Sequence, residues 1–72
     1  MATVKQRTKV RGYRVMLGKT QKDMAELFEI SKQAYSAKER GQTRFSEKEM
    51  LSIKEMLLPI FPGITIDEIF FS

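Results

Sequence analysis

The side chains best suited to do chemistry in this chain lie in one short stretch, 20–41, TQKDMAELFEISKQAYSAKERG. Within it Lys32, Gln33, Ser36 and Ala37 share one side of a short polar helix. The chemistry they offer is hydrogen bonding and close approach rather than bond making. Lysine donates to guanine O6 and N7, glutamine pairs with adenine N6 and N7, and an alanine methyl meets a thymine methyl. Catalysis has little to work with. The 72 residues contain no histidine and no cysteine, which removes the commonest general base, the commonest metal ligand and every thiolate or disulfide. The acidic residues cluster in the first turns of candidate helices, where capping and the helix dipole account for them. The expectation is a binding protein and not an enzyme, with no cofactor, no metal and no small-molecule ligand.

Charge points to the kind of partner. Up to Arg44 there are eleven Lys and Arg against four Asp and Glu, net +7, and from Phe45 onward two against five, net −3. The first acid is Asp23, so residues 1–22 carry seven unopposed positive charges. A basic half joined to an acidic half fits a side that meets a polyanion and a side that faces elsewhere. No run approaches the roughly 20 apolar residues of a membrane span, and charges sit where a signal peptide has its apolar centre.

The elements that must position these residues are short helices. Residues 1–8 are polar and basic and read as a flexible arm, leaving 9–72 as a single domain. Val10, Tyr13, Met16 and Leu17 recur at helical spacing and mark a helix at about 9–17, stopped by Gly18. Thr20 with Asp23 forms a capping box opening a second helix at about 21–28, whose inward face is Met24, Leu27 and Phe28 with Ala25 beside it. Ser31 caps a third at about 32–39, ended by Gly41. Ser46 with Glu49 opens a fourth at about 47–58, built on Met50, Ile53 and Leu57. Pro59, Pro62 and Gly63 break the chain there. Thr65 with Glu68 opens a fifth through about Phe71. The methionines at 16, 24, 50 and 56 read as core or core edge. The fold class is all-α, a compact bundle of five short helices.

The third helix, KQAYSAKE, has almost nothing to bury. Only about three residues join it to the second, so the two cross steeply, as in a helix-turn-helix. It touches the body through Ile30, Ala34 and Tyr35, and its other side projects. A projecting helix of short polar side chains fits the major groove of B-DNA.

The run KTQKDMAELFEISKQAYSAKERG resembles the lambda-repressor-like DNA-binding domains of the Cro and CI type, the XRE group. The shared pattern is Thr20-Gln21, Met24-Ala25, Ile30-Ser31 and Glu39-Arg40-Gly41, followed by FSEKEMLSIKEML and GITIDEIF, over about residues 9–70. Small size makes the chain look most similar to Cro-like regulators of temperate phages, in particular the modulator-of-repression proteins of lactococcal phages. The resemblance implies a cytoplasmic protein of a bacterial host cell that binds double-stranded operator DNA, with a homodimer on a two-fold site. Gln21 would hold a phosphate. Ser31, Lys32, Gln33 and Ala37 would face bases or nearby phosphates, with Ser36 beside them on the projecting side of the helix. Arg40, Gln42, Thr43 and Arg44 would hold the backbone, and Arg14 and Glu39 match a salt bridge between the first and third helices.

Two positions depart from the family pattern. Glu29 stands where glycine is usual in the turn, and Lys38 where an apolar residue usually anchors the third helix. Either departure leaves this surface open to a protein in place of DNA: an antirepressor or co-repressor that binds the phage's own repressor. Phe61 and Phe71, in an unusually apolar tail, are candidates for a protein interface.

Overall fold

The computed structural model describes residues 8–71. Most of the expected basic arm, residues 1–7, lies outside them. Five helices follow in order: α1 (Val10–Met16), α2 (Gln21–Phe28), α3 (Lys32–Glu39), α4 (Glu47–Leu57) and α5 (Ile66–Phe70). Every boundary falls within one residue of the sequence reading, and no strand occurs among the described residues. No helix among them is long and apolar enough to cross a membrane.

Local chemistry sets the helix starts. Thr20, Ser46 and Thr65 each accept from the backbone N–H three residues on, and Asp23, Glu49 and Glu68 reach back to the capping residue's own N–H. Ser31 Oγ accepts from Ala34 N at 3.0 Å. Such caps satisfy amides that a helix cannot satisfy internally, each worth about 1 kcal/mol. Three starts add an apolar pair at the staple positions before and after the cap: Ile30 with Tyr35, Phe45 with Met50, and Ile64 with Ile69. All six are buried or packed against the core.

The turn between α2 and α3 closes on Glu29, which adopts the left-handed conformation at φ 58° and ψ 42°. Ile30 N–H reaches back to Ala25 O at 3.0 Å, the bond that closes a Schellman turn. A side chain at this position is strained by about 1–2 kcal/mol relative to glycine.

The core comprises Val10, Met24, Ala25, Tyr35, Phe45, Ile53, Leu57, Ile64, Ile69 and Phe70. A chain of rings runs through it, with Tyr35–Phe45 and Phe45–Phe70 both edge-to-face, at 6.1 and 5.2 Å between centroids. Phe45 was not singled out from the sequence because it lies between helices, yet it is almost fully buried. Lys9 N–H donates to Ile69 O at 2.8 Å and ties the start of α1 to α5.

Four sequence expectations fail on packing. Leu27 is 54% exposed. α2 buries Met24 and Ala25 with Phe28 half-covered, and Leu27 lies about a third of a turn from that stripe. Met16 is also exposed, because α1 turns Val10, Tyr13 and Leu17 inward, about a quarter of a turn away. Ala34 is exposed, so it does not anchor α3; Tyr35, with no exposed surface, does so with Ile30 packed beside it. Phe61 is not an exposed patch. It is half-buried and meets Tyr13 edge-to-face at 5.8 Å. Phe71, by contrast, is exposed.

Candidate nucleic-acid interface

The geometry is built on one ion pair. Arg14 reaches from α1 to Glu39 at the end of α3, with Nε donating to Oε2 at 2.7 Å and Nη2 donating to Oε1 at 3.2 Å. Arg14 Nη1 donates to Lys19 O at 2.9 Å, and Gln21 Nε2 to Glu39 Oε1 at 3.0 Å. The side chains of Arg14 and Glu39 are 10% and 3% exposed, so the expected link is a buried fork. Thr8 Oγ1 donates to Glu39 O at 2.7 Å and brings the start of the described chain to the same junction.

Burial alone would raise the Glu39 carboxyl. Hydrogen bonds from Arg14 and Gln21 outweigh it and hold the group below the ordinary carboxylate range. The bond to Glu39 likewise raises Arg14. Tyr35 points its hydroxyl at this pair without a hydrogen bond of ordinary geometry to any described residue. Burial, followed by the proximity of Glu39, pushes its phenol far above the usual value. The one buried acid is therefore neutralised and turned away from solvent.

Above the pair lies an open surface. Gln21, Lys32, Gln33, Ser36 and Arg40 line a single shallow pocket of about 250 Å³. Lys32, Gln33 and Arg40 are exposed, and Gln21 and Ser36 half-buried. The amide of Gln21 spends one N–H on Glu39 and has a second to offer. Ser31 spends one lone pair on the cap and keeps its O–H.

Other expected contacts are arranged differently. Ala37 is half-buried and does not line that pocket; its carbonyl accepts from Gln42 N at 2.9 Å and pins the loop after α3. Gln42, Thr43 and Arg44 are exposed on that loop, where Arg40 Nη2 donates to Gln42 Oε1 at 3.2 Å. Asp23, at the start of α2, is folded back on the Thr20 backbone, and that bond lowers its pKa.

Lys38, which stands where an apolar residue usually anchors the third helix, makes polar contacts there. Its Nζ donates to Arg44 O at 2.9 Å and meets Glu49 Oε1 at 3.1 Å, with side-chain exposures of 18% and 16% for the pair. Glu49 Oε1 also accepts from Ser46 N at 2.8 Å in the capping box of α4. The lysine thus replaces an apolar contact with a polar tie from α3 to α4 and to the loop. Arg11 was missed. It joins Arg14, Gln21, Ser36 and Arg40 around an adjoining pocket, and its place one turn before Arg14 on the same helix was the available signal.

Residues 10–57 match the family described as Helix-turn-helix, a span that runs from the first residue of α1 to the last of α4. Comparisons with curated proteins and with solved structures found no match.

Proposed function

The chain belongs to the helix-turn-helix family, DNA-binding modules of transcriptional regulators, and from that premise we propose that it binds operator DNA in a phage genetic switch, as a Cro-like regulator. The observation that carries this reading is the convergence of Gln21, Lys32, Gln33, Ser36 and Arg40 on one open surface, above an acid already neutralised by Arg14. Lys32 and Gln33 in the first turn of α3 read base edges in the major groove. Gln21, Arg11, Arg40 and the loop residues Gln42, Thr43 and Arg44 hold phosphates. Two copies on a two-fold site would occlude polymerase or a competing repressor.

A second reading rests on Glu29 and Phe71. A carboxylate in the turn repels phosphate, and an exposed phenylalanine ends the described chain. In that reading the protein is an antirepressor of the modulator-of-repression type, and its partner is the phage repressor.

A mobility-shift titration on the intergenic switch region, with and without the neighbouring repressor, separates the two. For the first, the protein alone shifts a discrete site, and Gln33→Ala costs about 1–3 kcal/mol there but little on random DNA. Weak binding alone, together with loss of the repressor's own shift, selects the second.

A further inference from the structure

A groove runs between α2 and α4 and shares no lining residue with the surface over α3. Leu27 and Met56 line both of its adjoining parts, and Phe28 and Ser52 line one of them. Leu27, which the core leaves uncovered, is thus the apolar centre of a concave surface. Five carboxylates border it, at Asp23, Glu26, Glu29, Glu49 and Glu55, against two lysines, Lys19 and Lys48. Asp23 and Glu49 are engaged in capping boxes. The carboxylates of Glu26, Glu29 and Glu55 make no hydrogen bond or ion pair with any described residue.

We propose that this groove docks a cationic amphipathic helix of a partner protein. The helix lays an apolar stripe over Leu27 and Met56 and sets lysines or arginines against Glu26, Glu29 and Glu55. Charge complementarity selects this occupant. The chain carries a net charge of +4, yet the border of this groove is acidic. Nucleic acid and acidic segments are repelled there, and a basic one is attracted. A methionine and an uncovered leucine give the apolar contact that adapts to an incoming helix. Because the groove and the α3 surface are separate, a partner can sit here whether or not the α3 surface is occupied, so the proposal does not rest on the DNA reading.

The test is a titration of the full ¹⁵N-labelled chain with a synthetic leucine–lysine amphipathic helical peptide, followed by amide shifts near physiological salt. A leucine–glutamate peptide of the same pattern is the control. The expected result is shifts concentrated on Leu27, Phe28, Ser52 and Met56 with the lysine peptide alone. Leu27→Ser, at a site too exposed to unfold the chain, weakens binding about tenfold, and Glu26→Lys with Glu55→Lys does the same through charge. The proposal is overturned if the shifts map elsewhere, if the glutamate peptide binds as well, or if both variants stay within about twofold of the parent.

Discussion

Replacing Glu39 with glutamine keeps the shape of the side chain and removes its charge. The Arg14 guanidinium is then left 10% exposed beside a neutral amide, retaining Lys19 O as one acceptor. Removing one partner of a buried pair costs about 3–5 kcal/mol, whereas an exposed pair contributes about 0.2–1. The retained carbonyl places this case near the lower end, about 3 kcal/mol. Against a total of about 4–11 kcal/mol for a chain this size, that is a large fraction of the stability. Urea unfolding at pH 7, followed by far-ultraviolet circular dichroism, reads the loss directly. A loss below about 1 kcal/mol would refute the reasoning, since the fork would then behave as a surface pair. Arg14→Met combined with Glu39→Leu is expected to recover much of it, because the double change leaves no unpaired charge. The pH dependence carries a sign of its own. The folded-state pKa of Glu39 is lowered from 4.5, so its contribution is complete above that value and is lost as pH falls through the lowered one. The gap between parent and Glu39→Gln therefore narrows in acid.

Three further outcomes follow from packing and backbone. Glu29→Gly relieves the left-handed strain and should raise stability by about 0.5–1 kcal/mol in the same assay; a loss would mean that the Glu29 side chain supports the turn. Lys38→Met, which removes the tie to Glu49 and Arg44 O, should cost about 1–2 kcal/mol, and an unchanged midpoint would show that apolar packing serves equally well there. Phe45→Ala should cost about 3–5 kcal/mol and Leu27→Ala under about 1; the reverse order in thermal melts would contradict the burial of these two side chains.

The sequence by itself determined where the helices start and stop. Thr20, Ser31, Ser46 and Thr65 were legible as caps because each capping bond spans only three residues and needs no other part of the fold. The left-handed turn at Glu29 and the link between Arg14 and Glu39 came from the family resemblance, and both are present. Helical spacing marked most of the covered side chains, Met24, Ala25, Ile53 and Leu57 among them, but tertiary structure decided that Leu27 and Met16 stay exposed and that Phe45 is covered. Leu27 and Ala25 sit on the same helix, but burial depends on which element lies opposite, and nothing within α2 records that. The same holds for Lys38, whose acceptors lie on the following loop and on α4, and for the gathering of Gln21 with the residues of α3. Short-range hydrogen bonds are specified by spacing along the chain. Burial and convergence come from the packing of helices against one another, which spacing along one helix does not encode.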